Sequence, residues 1–402
     1  MQQKTLLNPT DGPSIKMLLP ILIPILRNTI FLRQRANASN YTAIDALAIF
    51  DILTIAFCAY WVYQNCTSVM WKRLWSGTVK CWLGYYLFAL ISVFWRIKGS
   101  NALYIFYRAG TMLILAPYIY MIFMQFRSAR SAFKGLLNYI LALTIFMFLG
   151  NIRLGAFHTN TYTVSAAVMV CLSLSAYRNK LFPLKEMTPY IYIGLFLLFI
   201  GTSSASNVSF VCGLIFIYCF KNKRFHFSMF IMLLLSLFAA YYFGKQVFFP
   251  IIFPHKSESK LFTLHGRAVL WEHYIRMWLR RPFRGWGFAV GERSGSSFGY
   301  IYALSAHNGY ISILINTGLL GMSFWIVLFK RLIKSLILQI IFDSPYAIVI
   351  ASAFVIIAVN NNSIPTFGSN WGSLSTLTFS ILSFWHIWCE NAPKDFYCQS
   401  NS

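Results

Sequence analysis

This sequence predicts an all-α, polytopic membrane protein, and three observations predict it. The 402 residues are 58% hydrophobic and only 11% charged, with a mean hydropathy of +0.60, whereas soluble domains are about a quarter charged. Apolar runs approaching the ~18–20 residues that cross a bilayer's hydrocarbon core recur along the chain. The short loops between them put most of their Lys and Arg on one side. Together these predict about twelve spans in a single membrane domain, residues 1–402, interrupted by one long loop over residues 244–306.

Residues 1–16 are polar. Met17–Leu32 is apolar but carries Pro20, Pro24 and Arg27. It reads as a short first membrane helix, an interfacial helix or a signal sequence, with Ala36-Asn37-Ala38 resembling a cleavage site. The polar leader is long for a signal peptide, which favours a retained helix. Further spans are expected at 44–63, 79–96, 102–124, 134–150, 161–177, 187–204, 207–220, 227–243, 308–328, 345–360 and 373–388. The shortest of them need tilted helices or snorkelling ends. No internal repeat is visible.

Orientation follows from the basic residues. With the N-terminus in the cytoplasm, the cytoplasmic loops collect the clusters at 72–80, 127–134, 178–185, 221–224 and 330–334. The short outer loops hold only Arg33, Arg35, Arg96, Lys98 and Arg153. This bias explains most of the net +24, so the charge implies no nucleic acid. The loop 244–306 then faces the periplasm. It carries nine Lys/Arg against three Glu, an excess of six. Long loops cross a membrane regardless of charge, so that excess needs another reason.

Composition also excludes chemistries. Most of the eight cysteines lie in apolar segments, which argues against a disulfide framework, and no Cys/His spacing suits zinc. The five Asp residues are scattered, without an Asp-x-Asp pair for a divalent ion. No glycine-rich phosphate cradle is present, so ATP is not the energy source. No metal and no cofactor is expected.

The long polar passage from Leu264 to Gly321 carries the candidate chemistry. His265–Arg281 lacks Pro, and lacks Gly apart from Gly266, so it should be helical. Trp271 and Trp278 suit a membrane interface. At 100° per residue, Arg276 and Arg280 fall roughly opposite Arg267. Arg281-Pro282-Phe283-Arg284-Gly285-Trp286-Gly287 makes a tight turn after it. His307 precedes an apolar helix, with Asn308 as its expected N-cap. A histidine there, near neutral pKa, can take a proton from a hydroxyl; it can equally be a structural tie between loop and helix.

These residues resemble the O-antigen ligase family of bacterial membrane proteins, which includes O-antigen polymerases. The similarity lies in Gly266-Arg267, in the Pro-x-x-Gly-x-Gly turn from Pro282 to Gly287, and in His307-Asn308 with Tyr310, Gly318 and Gly321. A second stretch, Asn151-Ile152-Arg153-Leu154-Gly155-Ala156-Phe157-His158-Thr159-Asn160, is similar to the family's Arg-x-x-Gly-x-Phe motif, with one residue fewer between Arg153 and Gly155. The resemblance implies a glycosyltransferase C-like fold. It implies an inverting, metal-independent transfer of a glycan from undecaprenyl diphosphate at the periplasmic face of the inner membrane. The acceptor is the lipid A-core for a ligase, or the growing lipid-linked glycan for a polymerase. His307 is then the candidate base, and Arg267 the cation on the leaving diphosphate. The other reading of Arg267 is contact with membrane-lipid head groups. Arg153, Arg108, Asn308, Arg284 and His158 are candidate substrate contacts.

One position departs from the family. In Gly201-Thr202-Ser203-Ser204-Ala205-Ser206, Ala205 stands where a second diphosphate-binding arginine is usual. Arg108, roughly 9 Å into its helix, is one replacement. An Asp51–Arg108 pair is the structural alternative; Arg153 and Lys245 are further candidates. A transporter or lipid flippase is the rival class, disfavoured because the midplane is almost free of charge and no repeat is seen. A peptidoglycan polymerase is a second rival, disfavoured by the His-Asn pair.

Overall fold

A computed structural model describes residues 46–98, 100, 102–154, 159–221, 224–225, 231, 267–293, 305–341, 344, 346–364, 366–368 and 373–391. The expected helix at Met17–Leu32, that at 227–243 apart from Ile231, His158, and the side chains of Asp51 and Arg153 lie outside the described residues.

The described chain is almost wholly helical. In order come α1 (Ala46–Asn65), α2 (Ser68–Leu74), α3 (Gly77–Ile91), α4 (Ala102–Met124), α5 (Ala129–Leu154), α6 (Thr159–Arg178), α7 (Leu184–Ile200) and α8 (Ser204–Cys219). After the loop come α9 (Arg267–Leu279), α10 (Gly309–Ile341), α11 (Ala347–Asn360) and α12 (Ser373–Trp385), the last continuing as a π-helical turn, His386–Glu390. Phe220–Lys221 pairs antiparallel with Arg224–Phe225. Gly77–Trp95, Ala102–Met124, Ala129–Ile152 and Gly309–Gln339 are long and apolar enough to cross a membrane; Ser204–Cys219 and Ala347–Asn360 are shorter apolar helices. This is a helical membrane protein.

The bundle packs around α6, which touches α5, α7, α8 and α11. Its residues are mostly small (TNTYTVSAAVMVCLSLSAYR), and Thr163, Ser165, Ser173 and Ser175 are buried. Small residues let helix backbones approach closely where lipid supplies no hydrophobic drive. A Cβ on Gly194 of α7 would fall 3.2 Å from the Ala166 carbonyl oxygen. The other half of the bundle packs α3 against α10 through aromatic rings: Trp82 and Tyr85 each lie 5.3 Å from Trp325.

The two ends of the bundle differ in chemistry. At one end Arg331 donates to the Gly77 carbonyl (3.0 Å), and Glu186 pairs with Arg130 (3.0 Å) and Lys134 (2.6 Å). At the other, Trp95 at the far end of the α3 segment donates its indole N–H to the Arg284 carbonyl (2.8 Å). The α9 helix, the turn after it and the start of α10 all belong to this second end.

The α10 helix runs beyond the expected 308–328 and is not continuous. Gly318 has φ 67 and ψ −165, which breaks the helical ladder. The freed backbone groups are met by the 282–287 turn. Trp286 and Gly287 N–H donate to the carbonyls of Ile315 (2.8 Å) and Asn316 (2.9 Å), while Leu319 and Leu320 N–H donate to those of Pro282 (2.8 Å) and Phe283 (3.0 Å). A broken helix is tolerated in a membrane protein where other protein groups satisfy it.

Candidate functional site

The expected loop helix forms as Arg267–Leu279, and its faces divide as the spacing requires. Arg276 is exposed and pairs with Glu272 four residues earlier. Arg267 is half-buried and donates from Nη1 to Ser363 Oγ (3.0 Å); burial lowers its pKa. Trp271 and Trp278 are tied to the rest of the loop through their indole N–H groups. Trp271 donates its indole N–H to the Ala306 carbonyl (2.9 Å) and Trp278 to that of Pro282 (3.0 Å). Both rings pack on a small core of Tyr274, Met277, Trp286, Ala306, Ile311 and Ile315, which gives the loop its own packed base.

His307 is half-buried in a turn at the head of α10, with φ 50. Few non-glycine residues adopt that region, and surrounding contacts must hold one that does. Asn308 caps the helix as expected: its Oδ1 accepts from the N–H groups of Tyr310 (3.0 Å) and Ile311 (3.2 Å). Gly309 N–H donates to the Asn361 carbonyl (2.7 Å), and Tyr310 OH to that of Ala358 (3.1 Å). A Cβ on Gly309 would fall 2.0 Å from Asn361 Oδ1, so this approach requires glycine.

Arg267 and the His307 turn are thus anchored on the same short segment, Asn361–Ser363, at the end of α11. No residue of that segment stands out in the sequence as a site residue. Its only visible signal was the polar run Asn360-Asn361-Asn362-Ser363 closing an apolar helix. Asn360 and Asn361 are fully buried, and Ser363 is buried too. The polar patch continues to the departing motif: Asn360 Nδ2 lies 3.5 Å from Ser209 Oγ, and Ser206 Oγ in the first turn of α8 bonds Thr163 Oγ1 (2.7 Å).

The other candidates fall elsewhere or stand apart. Arg108 on α4 stacks over Tyr104 (5.0 Å to the ring centroid), and Arg293 of the loop lies over the same ring (4.8 Å). Two guanidiniums therefore converge on one tyrosine, and nothing in the spacing of Arg293 signals this role. Arg284 is exposed at the Gly318 break, nine residues along α10 from Gly309 and so roughly 13 Å away along the axis. Its neighbour Arg281 stacks on Trp286 (4.1 Å) and donates to the Trp95 carbonyl (3.1 Å). Arg153 lies in the last turn of α5.

Fold and site together define a helical membrane protein with a basic, hydrogen-bonded loop seated at one end of its bundle. Residues 189–326 match the family described as O-antigen ligase. The match spans α7 to the middle of α10 and includes Arg267, Arg284, His307 and Asn308; it supports the O-antigen ligase family for this chain and a function of the ligase and polymerase type. No curated protein matches the chain.

Proposed function

We propose that the protein is a glycosyltransferase of the O-antigen ligase type in the bacterial inner membrane, with about twelve spans and its active site on the periplasmic side. The donor is a glycan on undecaprenyl diphosphate, and the acceptor is a hydroxyl of the lipid A-core. The observation that carries this reading is that Arg267 and the His307 turn, both in the part of the chain that matches the family, are anchored on one segment, Asn361–Ser363.

In this mechanism a ring nitrogen of His307 takes the proton from the acceptor hydroxyl. The oxygen attacks the anomeric carbon from the face opposite the diphosphate, so the configuration inverts. The bond between that carbon and the phosphate oxygen breaks, and undecaprenyl diphosphate leaves. Negative charge grows on the leaving group, and Arg267 stabilises it with two parallel N–H bonds. Ser363 holds that guanidinium in place. Arg108, Arg153, Arg284, Asn308 and His158 are the further substrate contacts proposed, with Arg108 and Arg293 the cations nearest in role to the arginine replaced by Ala205.

Deleting the gene and resolving the cell's glycolipids on a gel tests the proposal. Core without O-antigen, while lipid-linked polymer accumulates, is the result expected of a ligase. Core with one repeat unit would assign the polymerase reaction instead. An unchanged glycolipid pattern would overturn both.

A further inference from the structure

Within the proposed reaction, whose reading this inference deepens, Glu292 has no chemical step, yet five hydrogen bonds converge on it and its neighbours. Its Oε1 accepts from Ala306 N–H (3.0 Å) and from the Ser312 hydroxyl. Its own N–H donates to Asn316 Oδ1 (3.1 Å), and its carbonyl accepts from Tyr274 OH (3.0 Å). Ala306 is fully buried, and its carbonyl takes the Trp271 indole N–H (2.9 Å). Both backbone groups of the residue before His307 are therefore held by side chains, Glu292 on one side and Trp271 on the other.

The far side of His307 is held as well, by the Asn308 cap and by the Gly309 bond to Asn361. Between these anchors His307 keeps its left-handed backbone. A conformation of that kind persists only where its surroundings over-determine it. A base must also sit within hydrogen-bond reach of the proton it takes, and a displacement of about 1 Å can cost on the order of 10²-fold in rate. We infer that Glu292 and Trp271 are positioning residues: they clamp Ala306 from both sides and thereby aim His307 at the acceptor.

A carboxyl oxygen and an amide oxygen accept equally in this geometry, so the clamp needs the acceptor and not the charge. The test uses the full-length protein in membranes of the deletion strain. Diethyl pyrocarbonate labelling of each histidine is followed by mass spectrometry, alongside the glycolipid gel. His386 serves as the internal control, because it is fully buried at the opposite end of the bundle. Glu292→Ala should raise His307 labelling severalfold, leave His386 protected and cut O-antigen attachment by roughly tenfold or more. Glu292→Gln should stay near wild type in both readouts. Unchanged His307 labelling, labelling of His307 and His386 together, wild-type attachment in Glu292→Ala, or failure of Glu292→Gln would each overturn the clamp. Should Glu292→Ala not accumulate, Trp271→Phe keeps the ring and loses the donor; it should show the same shift to a smaller extent, and no shift would overturn the inference. Full attachment by His307→Ala would end the proposed role of His307, whereas the labelling reports the clamp independently of the reaction.

Discussion

Arg267 and Arg276 lie on one helix and differ only in what their side chains meet. The first reaches Ser363 from a half-buried position; the second pairs with Glu272 in the open. A lysine keeps the charge but not the planar two-pronged donor. Arg267→Lys should therefore lose most O-antigen attachment, and Arg276→Lys should be nearly silent on the same gel. Equal losses would mean that the loop needs bulk positive charge. His307→Ala should accumulate normally and lower transfer by roughly 10²–10⁴-fold, the usual worth of a general base. Glu292 offers a stability test in the same region. Burial outweighs its hydrogen bonds and raises its carboxyl pKa. A raised folded pKa means that the stabilising contribution is full below the unfolded carboxylate range and is lost as pH rises through the folded value. Glu292→Gln, which cannot ionise, should thus gain melting temperature relative to wild type as pH is taken upward from about 4. A difference independent of pH would show that the carboxyl is not strained by ionisation.

At the scale of the elements, the break in α10 makes one unit of two glycine motifs far apart in sequence. Gly318 turns the helix out of its ladder, and Gly285 lets the 282–287 turn lie against the exposed backbone. A Cβ on Gly318 would fall 2.3 Å from the Phe283 carbonyl oxygen, and one on Gly285 2.6 Å from that of Ile315. Both positions also have φ near +66, sparsely populated backbone where a side chain costs ~1–3 kcal/mol before any clash is counted. Gly318→Ala and Gly285→Ala should each destabilise the detergent-solubilised protein by more than that, read as a fall in melting temperature. Gly110, which has open space where its Cβ would be, should accept alanine without loss. Equal tolerance at all three would show that the turn does not seat in the break.

Over the whole molecule, the sorting of charge predicts the topology. The basic residues at the Gly77–Arg331 end should face the cytoplasm and the α9 end the periplasm. Cysteine introduced at Ser257 should react with a membrane-impermeant maleimide in intact cells, and cysteine at Asn222 should not. Outside labelling of Asn222→Cys would invert the arrangement and sink the periplasmic active site.

Much of this architecture was legible from composition and periodicity, because a helix buried in lipid must be apolar along its whole length. The expected segments 44–63 through 207–220, and the three from 308 onward, all have described helices; most ends agree within about five residues, whereas α10 runs well beyond 328 to Ile341. The loop helix and the Asn308 cap were legible for a local reason: propensity and capping act over one turn. The break at Gly318 was not, since an apolar run with a glycine reads as a continuous span until a partner for its freed carbonyls is seen. Nor were the Asn361–Ser363 anchor, the Arg293–Arg108 convergence on Tyr104 or the Glu292–Ala306–Trp271 clamp. Each joins residues distant in sequence through hydrogen bonds or ring contacts that no spacing encodes. By itself the sequence determined that the chain is a membrane-embedded helical protein with one chemically rich loop, because bilayer solvation constrains every residue separately. Only the tertiary structure decided what holds Arg267 and His307, because that depends on which distant backbone groups the folded bundle brings within bonding distance.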